Sequence, residues 1–123
     1  MYELKEVLLK NGEHEERRLV IEFHDEELAI LAEFLMSDSQ LLSDELTLAF
    51  DHVRGGFSLE EELSGNRCSV VIGEYNTEIS DLFDDLDSDV TGYQALELPT
   101  EEFHEYVDMW QENLAYFNDE NVL

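Results

Sequence analysis

Carboxylate side chains are the most abundant groups in this sequence that could bind a ligand or take part in a reaction. It has 32 Asp and Glu residues against 6 Lys and Arg residues, which gives a formal net charge of −26 at neutral pH. The run DLFDDLDSD places Asp85, Asp87 and Asp89 at the 1, 3, 5 spacing of a calcium-binding loop. Position 6 of that pattern is Val90 instead of Gly, and position 12 is Leu96 instead of Glu. A calcium loop with an incomplete ligand set, a solvated acidic loop and an electronegative rim beside the last helix all stay open.

The sequence lacks the groups that most enzymes need. It contains no GxSxG, HExxH, GxxxxGK or GxGxxG motif. The four histidines are not spaced as a ligand pair within one element, and we interpret each as a surface or half-buried residue. Cys68 lies in an apolar strand pattern, which is typical of a structural thiol, because a reactive thiolate needs a cationic or helix N-terminal environment. We therefore expect a protein that is not an enzyme, has no cofactor and has no catalytic metal.

One set of carboxylates has a regular helical spacing. Pro99 and Thr100 mark the start of a helix that runs to about Phe117, with Thr100 as its N-cap. Its acidic stripe consists of Glu101, Glu105, Asp108 and Glu112, which fall within about 60° of one another around the axis. Its apolar side consists of Phe103, Tyr106, Val107, Trp110, Leu114 and Phe117. The apolar side should pack inward, so we expect the stripe to face solvent or a partner.

A second concentration of carboxylates precedes this helix. It consists of Asp81, Asp84, Asp85, Asp87 and Asp89, on a predicted short helix over 78–87 and the loop that follows. All six basic residues lie in the first 67 positions, so these acids have no cation in their own part of the chain. We predict that the acidic stripe and this second group together form a partner-binding surface.

The elements that position these carboxylates are predicted to form a single acidic α+β domain over 1–123. Strands at 2–9 and 17–23 flank an Asn11-Gly12 turn, and an amphipathic helix runs from Asp25 to about 37–39. The segments LTLAFDHVR, FSLEEEL and RCSVVIGEY are predicted strands, joined by tight turns at Gly55-Gly56 and at 64–66. Their predicted core residues are Leu46, Leu48, Phe50, Phe57, Leu59, Cys68, Val70 and Ile72. The short helix, the strand YQALEL and the C-terminal amphipathic helix follow. The order ββαβββαβα predicts a mainly antiparallel sheet with helices packed on one face.

Charge and composition exclude several classes of protein. No stretch approaches the roughly 20 apolar residues that span a bilayer, and the first residues lack the cationic start and apolar run of an export signal. A single cysteine cannot form an intramolecular disulfide, which favours a reducing cytoplasm. Strong negative charge opposes binding to nucleic acid or to an anionic membrane surface. We therefore expect a cationic partner.

In size, acidity and α+β pattern the chain resembles the small immunity proteins of bacterial polymorphic toxin systems, including contact-dependent growth inhibition. The run LELPTEEFHEYVDMWQENLAYF is similar to the closing strand and helix of such proteins. From the charge we predict an inhibitor of a basic toxin, a nuclease whose positive nucleic-acid cleft the acidic residues would fill. The resemblance implies a tight one-to-one complex with a cognate toxin domain, whose active site or neighbouring surface is blocked. It carries over no site residue, because those families share no signature that this sequence matches.

Two other classes of function stay open. A nucleic-acid mimic of the anti-restriction type would need more than a stripe of about 16 Å from Glu101 to Glu112, and a second matching acidic row. An acidic domain of a halophile would need no charged partner, and the scarcity of lysine fits it. The abundance of Leu and the excess of Glu over Asp fit a halophile less well.

Overall fold

The computed structural model describes residues 2–82 and 94–120 as two antiparallel sheets with three α-helices. The elements are β1 (Tyr2–Asn11), β2 (His14–Phe23), α1 (Ala29–Ser37), α2 (Ser43–Arg54), β3 (Glu60–Ser64), β4 (Cys68–Gly73), β5 (Asn76–Asp81), β6 (Leu96–Pro99) and α3 (Thr100–Glu120). Strands β1 and β2 form one sheet, and the other has the order β3-β4-β5-β6. The predicted α+β class, with antiparallel strands and a C-terminal helix, is confirmed.

The N-terminal hairpin forms where the Asn11-Gly12 turn predicts it. Gly12 has φ 65°, a left-handed conformation that glycine adopts without steric cost. The ladder runs from the Tyr2↔Phe23 pair to the Asn11↔His14 pair. Ile21 is buried on the inner face of β2, which contacts α1. Leu4 of β1 also packs against the core, so both strands attach the hairpin to it.

The first helix also follows its predicted periodicity. A short 3₁₀ turn, Glu26–Leu28, precedes α1, and the side chain of Asp25 accepts a hydrogen bond of 3.0 Å from the backbone N–H of Glu27. Leu31, Ala32 and Leu35 of α1 are all buried. Asp25 therefore caps the 3₁₀ turn that leads into the helix.

The predicted strand LTLAFDHVR is wrong, because these residues belong to α2. The apolar residues of this segment fit both the two-residue period of a strand and the 3.6-residue period of a helix. Alternation groups Leu46, Leu48 and Phe50, whereas the helical period groups Leu46, Ala49, Phe50 and Val53. The helix buries all four of the latter residues and leaves Leu48 56% exposed. The helical arrangement prevails because it places more apolar surface in the core.

The segment after α2 also departs from the prediction. Gly56, with φ 77°, follows the end of α2 and does not form a hairpin turn between strands. Phe57 and Leu59, predicted to lie in the sheet core, are 84% and 82% exposed. Strand β3 begins only at Glu60, after both of these side chains.

The predicted helix over 78–87 is wrong in its described part. Residues up to Asp81 belong to β5, which pairs with β4 on one side and β6 on the other. Thr77, Ile79 and Asp81 alternate toward the buried face of the sheet. Two neighbouring strands satisfy the backbone N–H and C=O groups of β5, an arrangement that local helical spacing does not reveal. The predicted helix from position 83 onward lies outside the described residues.

One face of the four-stranded sheet carries the core. Cys68, Val70 and Ile72 of β4 are buried, and α1, α2 and α3 all contact this sheet. The ring centroids of Phe34 and Phe103 lie 5.6 Å apart, which joins α1 to α3. The predicted packing of helices on one face is confirmed. Within the described ranges, no helix is both long and apolar enough to cross a membrane.

Candidate partner-binding surface

The first residue of α3 is attached to the four-stranded sheet. The Thr100 hydroxyl donates a hydrogen bond of 2.7 Å to the Gly73 carbonyl and lies 2.9 Å from the Thr77 hydroxyl. The Thr100 backbone N–H donates to the Tyr75 carbonyl at 2.9 Å. Thr100 was predicted as an N-cap, but these bonds are made to the sheet, and Thr100 is itself the first helical residue. These hydrogen bonds fix the start of α3, the helix that carries the acidic stripe, relative to the sheet.

The rotation of α3 about its axis is set by its apolar side. Phe103, Val107 and Trp110 are 0%, 1% and 2% exposed. All members of the acidic stripe are exposed, as the periodicity predicts: Glu101, Glu105, Asp108 and Glu112. A rotation of the helix that buried the stripe would expose these three core side chains. The carboxylates are therefore presented to solvent by a well-packed helix.

Most of the acidic stripe has no neutralising partner among the described residues. Asp108 lies 3.4 Å from Nε2 of His104. The ion pairs found within 2–82 and 94–120 include none of Glu101, Glu105 and Glu112. Like charges at i, i+3 and i, i+4 repel one another. A cationic surface that covers the stripe would relieve this repulsion.

A side-chain network supports the middle of the stripe. Nη2 of Arg54, at the end of α2, lies 2.7 Å from Nδ1 of His104. The imidazole stacks on Phe50, with ring centroids 4.1 Å apart. A guanidinium group only donates, so Nδ1 accepts and the imidazole proton lies on Nε2, where it faces Asp108. Sequence reasoning missed this contact, because Arg54 and His104 are 50 positions apart.

A groove adjoins the N-terminal half of the stripe. This acidic groove has a volume of about 560 Å³ and is lined by Tyr2, Pro99, Glu101, Glu102, Glu105, Tyr106 and Met109. The rings of Tyr2 and Tyr106 meet edge to face at 6.3 Å. Burial, together with the charge of Glu102, raises the pKa of the Tyr106 hydroxyl. Carboxylates beside aromatic rings suit the side chain of a Lys or Arg residue from a partner.

The outer face of the four-stranded sheet carries a second acidic surface, which sequence reasoning missed. The register aligns Glu62 with Val71, Val71 with Glu78, and Glu78 with Glu97 across β3, β4, β5 and β6. This sheet row has three exposed carboxylates. Glu78 and Glu97 are direct cross-strand neighbours, about 5 Å apart, and like charges in such a pair are destabilising. The sequence does not reveal this row, because Glu78 and Glu97 become neighbours only when β5 and β6 pair.

Asp81 does not belong to the exposed carboxylates. Its side chain is 0% exposed and lies 3.0 Å from Nη2 of Arg67. The structure therefore places Asp81 in the core and not on the predicted partner-binding surface, a correction that follows from its position on the inner face of β5. The other members of that predicted group, Asp84, Asp85, Asp87 and Asp89, lie outside the described residues.

Cys68 sits in a buried, negatively charged environment. Burial is the main cause that raises the pKa of its thiol to about 12, and the charges of Asp38 and Asp81 add to the shift. The thiol is therefore protonated and unreactive near neutral pH. Among residues 2–82 and 94–120, no group of three or more His, Cys, Asp or Glu side chains is arranged to hold a metal ion.

The chain was also compared with known proteins. No protein-family model matches it. Neither the curated proteins nor the solved structures include a significant match. Inferences about function therefore depend on the geometry and charge of the chain's own residues.

Proposed function

We propose that the chain is a protein inhibitor of the immunity class, which binds a basic toxin domain one to one. In this proposal the toxin is a nuclease, and the inhibitor covers its positively charged nucleic-acid cleft. The observation that carries the proposal is the acidic stripe, because α3 holds it in a fixed orientation and three of its carboxylates lack an ion-pair partner among the described residues. A surface of this kind is complementary to a cleft that binds phosphates.

Charge has two roles in the proposed complex. The net charge of −26 accelerates the encounter with a basic protein, toward about 10⁸ M⁻¹s⁻¹ or above at low salt. Within the contact, each desolvated carboxylate pairs with a Lys or Arg side chain of the toxin. The acidic groove extends this contact past Glu101 and Glu105, since it combines their carboxylates with the rings of Tyr2 and Tyr106. Its aromatic lining favours an arginine as the inserted residue.

The proposed inhibitor acts by covering the nucleic-acid cleft of the toxin, so it needs neither a catalytic group nor a cofactor. We place it in the cytoplasm, where a nuclease toxin meets its nucleic-acid substrate. The lone buried thiol of Cys68 is compatible with that reducing compartment.

The proposal is tested first by isolating the partner and then by measuring inhibition. The tagged chain is incubated with native lysate at low salt, and retained proteins are eluted with increasing sodium chloride and identified by mass spectrometry. The partner is then purified and assayed for nuclease activity with and without the chain. We expect one stoichiometric basic protein whose activity the chain abolishes. Retention of no basic protein, or a partner whose activity is unaffected, would contradict the proposal.

Charge-reversal variants locate the contact. Glu105→Lys with Glu112→Lys changes two members of the stripe that have no ion pair among the described residues. The matched control, Glu13→Lys with Glu15→Lys, makes the same change in charge on the exposed hairpin. We expect the stripe variant to lose about 2–5 kcal/mol of binding free energy and the hairpin variant to lose much less. Equal losses would mean that net charge alone, and not the stripe, drives binding.

A nucleic-acid mimic is the second candidate function. The sheet row favours it, because Glu62, Glu78 and Glu97 form the second acidic row that mimicry requires. The elution experiment separates the two functions, since a mimic would retain many DNA-binding proteins instead of one. Glu62→Lys with Glu78→Lys would then weaken retention as much as the stripe variant does. An inhibitor that binds through α3 would tolerate this change on the sheet face.

A further inference from the structure

A second cleft lies between β2, the end of α1 and the second half of α3. It has a volume of about 690 Å³, within the usual range for small-molecule sites. Its apolar lining includes Leu19, Met36, Trp110, Leu114 and Phe117. None of its lining residues belongs to the acidic stripe or to the acidic groove. It is therefore a separate feature, independent of the proposed inhibitor function.

The charge around this cleft differs from that of the rest of the molecule. Its lining includes Arg17, Arg18 and Arg67, which are three of the six basic residues of the whole chain. Only two acidic residues, Glu16 and Glu33, belong to the same lining. In a protein with a net charge of −26, half of the cations thus surround one cleft.

Two of these cations can change partners at little cost. Arg17 lies 3.5 Å from Glu6, and Arg18 lies 3.6 Å from Glu16, and all four side chains are at least half exposed. Exposed ion pairs of this kind are weak, so an anion in the cleft can compete for the guanidinium groups. Arg67 differs, because it is committed to the fully buried Asp81.

Trp110 provides an independent observation in the lining of the cleft. It lines the cleft while being only 2% exposed. Its indole Nε1 is buried and has no acceptor within the described part of the chain. An indole N–H can only donate, and a buried donor without an acceptor is destabilising. An acceptor atom from a bound ligand would satisfy this group.

We propose that this cleft binds a small amphipathic anion, namely a carboxylate or sulfonate carried on an apolar body. The apolar body packs on Met36, Leu114 and Phe117, and the anionic group pairs with Arg17 or Arg18. One ligand oxygen accepts the hydrogen bond of the Trp110 indole. Each part of the ligand thereby meets a group that the cleft already presents.

The test uses two probes with the same apolar rings. The anionic probe is 8-anilinonaphthalene-1-sulfonate, and its neutral control is N-phenyl-1-naphthylamine. Trp110 is the only tryptophan, so its emission reports directly on the cleft. We expect saturable, one-to-one quenching of Trp110 by the sulfonate, with at least about threefold tighter binding than that of the neutral probe. Equal affinities, or no saturation, would overturn the proposal.

Variants separate the cleft from non-specific binding of the probe. Arg17→Gln with Arg18→Gln removes the two exposed cations of the cleft, whereas Lys5→Gln with Lys10→Gln removes two exposed cations of the hairpin outside its lining. We expect the arginine variant to weaken sulfonate binding at least about threefold and the lysine variant to leave it unchanged. Trp110→Phe, followed by the fluorescence of the probe itself, should also weaken binding, because it removes the indole donor. Sulfonate binding that is unchanged in the arginine variant or in Trp110→Phe, both checked for native circular dichroism, would refute the assignment.

Discussion

The carboxylate of Asp38 accepts a hydrogen bond of 2.7 Å from the backbone N–H of Cys68, and this contact joins the end of α1 to the start of β4. The same carboxylate accepts from the backbone N–H groups of Asn66 and Arg67, at 2.9 and 3.1 Å. Asp38 is fully buried. A Cβ atom on Gly65 would overlap its carboxylate, so glycine permits this close approach. The turn before β4 is therefore built around one buried acid.

We expect Asp38→Ala to reduce the free energy of unfolding by about 2–4 kcal/mol. The substitution leaves buried backbone donors without an acceptor, which costs more than the loss of an exposed bond. Asp38→Asn retains one acceptor oxygen and should cost less. Urea denaturation followed by circular dichroism measures both, with Asp44→Ala as the control at an exposed acidic position. An Asp38→Ala variant as stable as this control would contradict the role given to Asp38.

The raised pKa of Cys68 predicts a loss of stability in alkali. Burial raises the pKa of this thiol to about 12 in the folded chain, from an ordinary value of 9.0. Between these values the unfolded chain has lost the proton that the folded chain still holds. Stability from this group is therefore complete below pH 9 and falls as the pH rises toward 12, by at most about 1.4 kcal/mol per pH unit. The free energy of unfolding should fall less steeply from pH 8.5 to 10.5 in Cys68→Ala than in the parent. An equal fall in the free energy of unfolding with pH in the two proteins would contradict the raised pKa of Cys68.

The contrast between α3 and α2 explains which parts of the fold were predictable. In α3 the acidic and apolar residues separate cleanly at the helical period, so its burial and its exposed stripe follow from the sequence. In α2 the residues around Leu46 and Phe50 fit both a strand and a helix, and only packing against β3 and β4 decides between them. The hairpin was predictable because Gly12 adopts a turn conformation that few other residues tolerate.

The features of the candidate site that the sequence did not predict all depend on contacts between segments that are distant along the chain. The sheet row exists only because Glu78 and Glu97 meet across β5 and β6. Arg54 reaches His104 only because α2 and α3 pack on the same sheet. Asp81 was predicted to be exposed because the segment that contains it is acidic, yet its strand position turns it toward Arg67. Pairing of strands and helices, which local patterns do not encode, decides each of these cases.

The dependence of stability on salt separates an inhibitor from a halophilic domain. Screening weakens repulsion among the acidic residues, so some stabilisation by sodium chloride is expected for any chain with a net charge of −26. We expect the isolated chain to be fully folded at about 0.1 M salt, because its core includes fully buried side chains such as Phe34 and Phe103. Thermal unfolding measured from low to molar salt tests this. A chain that folds only in molar salt would identify the acidity as an adaptation to salt and contradict the inhibitor proposal.

Neutralising the acidic stripe should stabilise the isolated chain while it weakens the complex. Glu105 lies at i+4 from Glu101, at i+3 from Glu102 and at i−3 from Asp108, and its own carboxylate has no ion-pair partner among the described residues. Glu105→Gln removes these repulsions and should raise the free energy of unfolding by about 0.2–1 kcal/mol. Glu78→Gln is the matched variant on the sheet row, where it relieves the cross-strand repulsion from Glu97.

Urea denaturation measures stability, and titration against the purified partner measures affinity. If α3 is the contact, only Glu105→Gln should lower affinity, while both variants gain stability. A gain of stability without a loss of affinity in Glu105→Gln would place the contact elsewhere on the molecule.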